Sequence, residues 1–271
     1  IRKGIALTPV KFGISFTFTP FNQAGALVHV YSDGSIQLNH GGTEMGQGLF
    51  TKVAQVVAEE FGVPLDCVRI TATNTAKVPN ASPTAASSGT DINGMAAKIA
   101  AGQIRARMAA FAAETWGVGA ETIEFREGRV FGGNMSMSFG ELAKACRLNR
   151  VGLSAAGYYR TPEISWDRAN VKGKPFFYFA YGATCAEVAI DTLTGETKVL
   201  AADILHDVGS SLNPAIDMGQ VEGAFIQGMG WVTSEELVWD GRGRLTTHAP
   251  ATYKIPVASD MPARFNTRLW L

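Results

Sequence analysis

The chain has 271 residues, enough for one large domain or two medium ones with sizeable cores. Apolar residues make up 46% of it, as in globular proteins, and no unbroken apolar run approaches the roughly 20 residues that span a membrane. Its 24 basic and 24 acidic residues cancel and form no block of one sign, which argues against a nucleic-acid partner.

The opening run, IRKGIALTPVKFG, lacks the apolar core and cleavage site of a signal peptide. It starts without methionine, and 263-ARFNTRLWL-271 reads as a strand in mid-course, so a domain of a longer protein is expected. Residues 12-FGISFTFTPFNQAG-25 alternate like an edge strand, in which Phe16 beside Thr17 could pack on a flat ligand and hydrogen-bond to it. An ordinary half-buried strand has the same pattern. Two β-rich runs then flank Asp33-Gly34 in 26-ALVHVYSDGSIQLNH-40, a hairpin signal.

The stretch 40-HGGTEMGQGLFTKVAQVVAEEF-61 joins a glycine-rich turn to a helix with Leu49, Val53, Val56, Val57 and Phe61 along one stripe, ended by Gly62 and Pro64. It has neither a Walker lysine nor dinucleotide-fingerprint spacing. Unpaired N–H groups and the dipole at a helix N-terminus, with glycines for close approach, suit an anionic or acceptor-rich ligand at Gly46, Gln47 and Gly48. A plain helix entry whose glutamine bonds its own backbone is the competing reading. Glu44 near this helix start reads as a complement to the dipole rather than as a general base.

A strand follows at 67–73, then a long run of small residues, 74–94, that lacks the charge and repetition of a linker and is expected to be functional. Within it, 82-SPTAASSGT-90 could expose main-chain N–H groups to a bulky ligand, with the Ser87 and Ser88 hydroxyls as extra donors, or form a merely small and polar loop. Thr90 or Asp91 is expected to cap a helix running to about Trp116, with a hairpin at 122–133 and a short helix from Ser138 after it.

The second half repeats the plan: a hairpin over 183–209 turning at Thr194-Gly195, then a turn and an apolar helix in 212-LNPAIDMGQVEGAFIQGMGW-231. Met-Gly-Gln recurs at 218–220, which would put Gly219 and Gln220 at a second helix start; Glu222 reads like Glu44. The expected fold is α+β, with duplicated β-hairpin-plus-helix units in a two-layer α/β arrangement with mixed sheets. Residues 1–150 would form the first subdomain and 151–271 the second, with two helix N-termini converging on one ligand.

His29, His40, His206 and His248 form no metal-ligand spacing, so no metal directly ligated by side chains is expected. Cys67, Cys146 and Cys185 are odd in number, far apart and without a CxxC pair, which argues against a disulfide scaffold, a zinc ribbon or a cysteine-held cluster. A reduced, cytoplasmic setting fits them. No GxSxG elbow is present, which disfavours nucleophilic hydrolysis.

Taken together, FGISFT, NQAGALVHVYSDGS, HGGTEMGQGL, VPNASPTAAS, YYRTP, DVGSSLNPAIDMGQVEGAFIQG and TYKIP resemble the molybdopterin-binding region of xanthine dehydrogenases, in the xanthine oxidase family of molybdenum hydroxylases. The resemblance covers nearly the whole chain. It implies that Met45, Gly46 and Gln47 line the molybdenum cofactor, that Thr84–Ser88 wrap the pterin, and that Gln220 contacts it from the second turn. Ala86 would lie near metal and substrate, with Phe16 against a purine ring and Thr17 hydrogen-bonding to it. It implies hydroxylation of hypoxanthine and xanthine towards urate, with iron–sulfur clusters, FAD and NAD in the intact parent, itself oligomeric. The family's base, a glutamate in a GVGEP-type motif, would lie beyond Leu271, leaving no catalytic residue and no turnover in the isolated chain. Relatives acting on aldehydes or other N-heterocycles, and a non-catalytic partner- or nucleotide-binding module, are the alternatives.

Overall fold

The computed structural model describes residues 1–78 and 80–270; Pro79, within VPNASPTAAS, and Leu271 lie outside the described residues. Chain contacts divide it into two compact units, Ile14–Tyr178 and Ile1–Gly13 with Phe179–Leu271. In chain order the first elements are β1 (Arg2–Ile14), β2 (Gln23–Val30), β3 (Ile36–His40), α1 (Leu49–Phe61), β4 (Val68–Ile70) and α2 (Gly89–Trp116). Then come β5 (Glu124–Arg126), β6 (Arg129–Gly132), β7 (Met135–Ser138), α3 (Phe139–Leu148), β8 (Ser154–Arg160), β9 (Ser165–Asp167) and β10 (Lys172–Lys174). The last are β11 (Tyr178–Ile190), β12 (Thr197–Asp207), α4 (Pro214–Thr233) and β13 (Arg264–Leu269).

Each unit holds a four-stranded sheet of the same design, ordered β4-β3-β2-β8 in one and β13-β12-β11-β1 in the other. In both, an antiparallel hairpin (β2/β3, β11/β12) is followed by a helix and then a strand parallel to the hairpin's second arm (β4 on β3, β13 on β12). This α+β architecture with mixed sheets is the one expected, and the shared strand order carries the duplication. The Met-Gly-Gln repeat does not. Residues 45–47 precede α1, whereas 218–220 lie inside α4, whose N-cap Asn213 accepts a hydrogen bond from the Ile216 N–H at 3.2 Å. Asn213 caps and Pro214 supplies a preset φ for the first helical position, so the helix starts well before Gly219.

The core of the Ile14–Tyr178 unit lies between its sheet and helices α1 and α2. Leu49, Val53, Ala54, Val57, Ala58 and Phe61 form the buried face of α1; Val56 is only half-buried, because alanines at 54 and 58 lie closer to the stripe's centre. On α2, Ala96, Ala97, Ala100 and Ala101 are fully buried. Their small side chains let the helix lie against β8, where a Cβ at Gly157 would stand 2.0 Å from the Ala96 carbonyl oxygen. Gly62 closes α1 in a left-handed conformation (φ 60°), with its N–H donating to the Ala58 and Glu59 carbonyls. Helix α3 starts with a capping box between Ser138 and Glu141. Helix α2 starts at Gly89 with Ser88 as N-cap, two residues before Thr90 and three before Asp91, the caps expected, and Asp91 sits in its first turn.

In the other unit, α4 lies on its sheet through Phe225, whose ring centroid is 5.3 Å from that of Phe265 on β13. Among the described residues no helix is long and apolar enough to cross a membrane. Cys67, Cys146 and Cys185 are free thiols, and burial pushes that of Cys146 up to about 11.

Candidate functional site

The turn between β3 and α1 is held by one carboxylate. Glu44 Oε1 accepts from the Gly46 N–H (2.9 Å) and the Gly48 N–H (3.0 Å), while Oε2 accepts from the Phe50 N–H (2.9 Å). Burial pushes this carboxyl up, but the N–H groups of Phe50, Gly46 and Gly48 together hold it below the usual glutamate range. Glu44 is therefore the helix cap that Gly48, without a side chain, cannot be. The Gly46 and Gly48 amides that the sequence offers to an anionic ligand are taken up by it. A second anion would meet a carboxylate there, so the turn suits a neutral, hydrogen-bonding ligand.

Gln47 also bonds within the turn. Its Oε1 accepts from the Met45 N–H (2.6 Å) and its Nε2 donates to the Thr43 carbonyl (2.8 Å). A primary amide has two N–H hydrogens and two lone pairs on oxygen, so one of each stays available in a fixed orientation. Gly46, in a left-handed conformation at φ 99°, is exposed, and a Cβ there would meet nothing within 4 Å. Met45 is 66% exposed.

The 84–88 loop lies beside this turn, because Thr84 Oγ1 accepts from the Thr43 N–H at 2.9 Å. Ala86 and Ser87 are both left-handed (φ 56° each), bracketed by a Ser88 N–H to Ala85 carbonyl bond of 3.4 Å. This is a type I′-like turn built from residues other than the usual glycine or asparagine. Two such residues cost of order 1–3 kcal/mol each, and strain of that kind concentrates at ligand-holding segments. Ala85 and Ser87 are exposed, Thr84 and Ala86 half-buried, and Ser88 is buried with its hydroxyl donating to the Ala85 carbonyl.

Beneath the turn, His40 is 2% exposed and its Nδ1 accepts from the Gly42 N–H at 3.1 Å. Burial pushes its imidazole down to about 4, against the opposing pull of Glu44. The ring is thus neutral, with the proton on Nε2, and its pattern as a scattered hairpin histidine gave no sign of this supporting role. At the first turn of α2, Asp91 accepts a hydrogen bond from the Tyr178 hydroxyl. Burial pushes the Asp91 carboxyl up, against that bond, and burial with Asp91 pushes the Tyr178 phenol far above its ordinary range.

Phe16 and Thr17 leave the expected strand. The chain departs from β1 at Ile14 through Ser15 (φ 148°), and Phe16–Phe21 form a loop closed by a 3-10 turn at Thr19–Phe21. Phe16 is half-buried, edge-on to Phe21 at 5.4 Å between centroids, and Thr17 is exposed. The same unit ties this loop's end to the 84–88 region, since the Ser82 hydroxyl donates to the Gln23 carbonyl (3.2 Å).

Gln220 is exposed in the second turn of α4, and Glu222 lies further along the helix, so neither stands at a helix N-terminus. Among the described residues no group of three or more His, Cys, Asp or Glu could hold a metal ion. The donor set of the 43–48 turn and 84–88 loop, one spare amide edge, main-chain groups around open glycine surface and the exposed Ser87 hydroxyl, fits a polar heterocycle such as a pterin.

The model of the molybdopterin cofactor-binding domain matches residues 1–262. The chain is 50% identical over 275 residues to the xanthine dehydrogenase of Oryza sativa subsp. japonica, covering 99% of this chain and 19% of that protein. It is equally 50% identical, over 272 residues, to the nicotinate hydroxylase of Emericella nidulans, covering 98% of this chain and 19% of the relative. Among solved structures, quinoline 2-oxidoreductase of Pseudomonas putida 86 shares the fold at a TM-score of 0.84 and 24% identity, over 99% of this chain and 35% of that one. Aldehyde oxidoreductase of Desulfovibrio gigas does so at 0.77 and 21%, over 99% and 27%. The chain thus spans about a fifth of the length of the curated relatives it matches.

Proposed function

The chain belongs to the molybdopterin cofactor-binding domain family, and from that premise we propose that it is the part of a molybdenum hydroxylase that seats the pterin and faces the substrate with Phe16 and Thr17. The observation that carries this reading is the Thr43 N–H to Thr84 hydrogen bond, which joins the Met45–Gln47 turn to the strained 84–88 loop. Gln47 presents its remaining N–H and lone pair to the pterin edge, with Gly46 giving the ring close access. Ala85, Ala86 and Ser87 offer main-chain groups, and the small Ala86 side chain leaves room for substrate. A pterin contact by Gln220, on α4, rests on the family resemblance alone. When bound, the cofactor supplies oxygen insertion at an electrophilic ring carbon and takes up two electrons. This chain's contribution is to bind, orient and electrostatically tune.

Phe16 provides an aromatic face for a flat ring and Thr17 a hydroxyl that donates to or accepts from its edge. The substrate we propose is a purine, hypoxanthine or xanthine, in a cytoplasmic, oligomeric enzyme whose remaining parts carry iron–sulfur clusters, FAD and the NAD site. The 50% identity to a nicotinate hydroxylase supports a second reading, in which the ring is nicotinate. Assay of the full-length enzyme with hypoxanthine, xanthine and nicotinate in parallel decides between them. Urate formation with kcat/KM at least tenfold above that for nicotinate is the expected result. Preference for nicotinate selects the second reading, and turnover of none of the three overturns both.

A further inference from the structure

Phe16 and Thr17 sit on an irregular loop, yet a flat substrate needs a wall held to within a fraction of an ångström. The side chain that fixes this loop is Asn22. Its Oδ1 accepts from the Phe16 N–H at 2.8 Å, and its Nδ2 donates to the Phe16 carbonyl at 2.8 Å and to the Thr19 carbonyl at 3.3 Å. The amide thereby satisfies both main-chain groups of Phe16, as a neighbouring strand would in an antiparallel hydrogen-bonded pair. Asn22 itself is only 2% exposed. Its own main chain is anchored, with its N–H donating to the Thr19 carbonyl (3.0 Å) and its carbonyl accepting from the Thr161 N–H (3.0 Å) just past β8. Gln23, the next residue and the first of β2, pairs with Arg160 of β8. The sheet edge is thus transmitted through one side chain to the backbone of Phe16. Ser15, at φ 148°, shows that the chain leaves β1 in a conformation L-residues rarely adopt, so the loop needs an external tie to keep it. The aromatic rings complete the brace: Phe21 stands edge-on to Phe16 at 5.4 Å and to Phe18 at 4.8 Å.

We infer that Asn22 is a positioning residue for substrate recognition, clamping the Phe16 main chain so that the Phe16 ring and Thr17 hydroxyl meet a planar heterocycle in one fixed orientation. The inference rests on the reading of Phe16 and Thr17 as the substrate-facing pair. It separates Asn22 from the residues that seat the cofactor, because its side-chain bonds run to Phe16 and Thr19. Asp at this position retains the acceptor for the Phe16 N–H and loses both donated bonds, in nearly the same volume.

The test uses the full-length enzyme, with the heterocycle it turns over (hypoxanthine or nicotinate) and acetaldehyde as a small substrate with no ring. Asn22→Asp and Asn22→Ala are expected to retain wild-type molybdenum content. Each raises KM for the heterocycle roughly tenfold or more, Ala more than Asp, while kcat/KM for acetaldehyde changes less than threefold. Phe16→Ala, measured in parallel, is expected to show the same split between the two substrates. If Phe16→Ala lowers heterocycle kcat/KM and neither Asn22 variant does, the positioning role is wrong while the substrate-facing reading survives. If Phe16→Ala has no effect on the heterocycle, that reading falls and the inference with it. If both Asn22 variants lose molybdenum or lower both substrates equally, Asn22 is a general fold residue and the inference is overturned.

Discussion

Glu44→Ala isolates the contribution of the carboxylate that holds the 43–48 turn. The substitution removes the acceptor for three backbone N–H groups, at 2.9, 3.0 and 2.9 Å. Gly46 is exposed and water replaces the lost partner there, whereas Gly48 and Phe50 are half-buried and recover less. The closest precedent is loss of a helix N-cap, about 1–2 kcal/mol, to which removal of a negative charge from the helix N-terminus adds about 0.3–1 kcal/mol. The expected loss is thus about 2 kcal/mol. At about 2–4 °C per kcal/mol for a domain of this size, the melting temperature drops by about 4–8 °C. Thermal unfolding followed by circular dichroism measures it, with Glu44→Gln, which keeps one uncharged acceptor, falling between wild type and Ala. The sign with pH follows from the lowered carboxyl. A group whose folded pKa is depressed stabilises fully above its unfolded value, and that stabilisation is lost as pH falls through the folded one. The gap between wild type and Glu44→Gln therefore closes in acid, below the ordinary glutamate range. A Glu44→Ala protein melting within 1 °C of wild type at neutral pH would refute the capping role.

Three further outcomes follow from the same geometry. His40, neutral with its imidazole pushed down to about 4, stabilises the fold above its ordinary value of 6.5 and loses that contribution as pH falls from there towards 4. The full span corresponds to about 3 kcal/mol at 1.36 kcal/mol per unit, and His40→Phe flattens this part of the stability–pH curve; an NMR titration with a midpoint near 6.5 would contradict it. Gly157→Ala drives a methyl to 2.0 Å from the Ala96 carbonyl oxygen, so α2 must shift; denaturant unfolding should show a loss of at least about 2 kcal/mol, and a neutral result would mean the helix is not seated as described. Gly46→Ala meets open space but must adopt φ 99°, so it is expected to cost about 1 kcal/mol or more of stability by urea titration, with no clash to relieve by a compensating substitution.

The β2/β3 hairpin and helices α1 and α3 were legible because their signals are local. Asp33-Gly34 between two β-rich runs, the stripe of α1 ending at Gly62, and Ser138 three residues before Glu141 all use periodicity or caps that a short window contains. The repeated Met-Gly-Gln misled as to place, since the stronger helix-start signal was Asn213-Pro214, six residues ahead of Gly219. The duplication it suggested is nonetheless present in the strand order. Within the site, the turn's residues were legible but their bonds were not. Glu44 reads as dipole complement in sequence, yet only its folded reach to Gly46, Gly48 and Phe50 removes those amides from any ligand. Thr43 and Thr84 are 41 residues apart, and nothing local predicts their hydrogen bond. Asn22 carried a faint signal, an asparagine closing an aromatic run ahead of a strand, where a side-chain amide commonly caps a turn. The left-handed pair Ala86–Ser87 had none, because neither residue type favours that conformation.

The most direct test of the cofactor role is the molybdenum and pterin content of the full-length enzyme, wild type beside Gln47→Ala, each shown to be folded by its melting temperature. The account predicts molybdenum and pterin in equal amounts in the wild type and a loss of at least half of both in Gln47→Ala, with melting temperatures within about 3 °C. Full and equal loading of both proteins would contradict the role given to Gln47. A folded wild type that holds neither molybdenum nor pterin, made in a host that loads other molybdenum enzymes, would contradict the account as a whole.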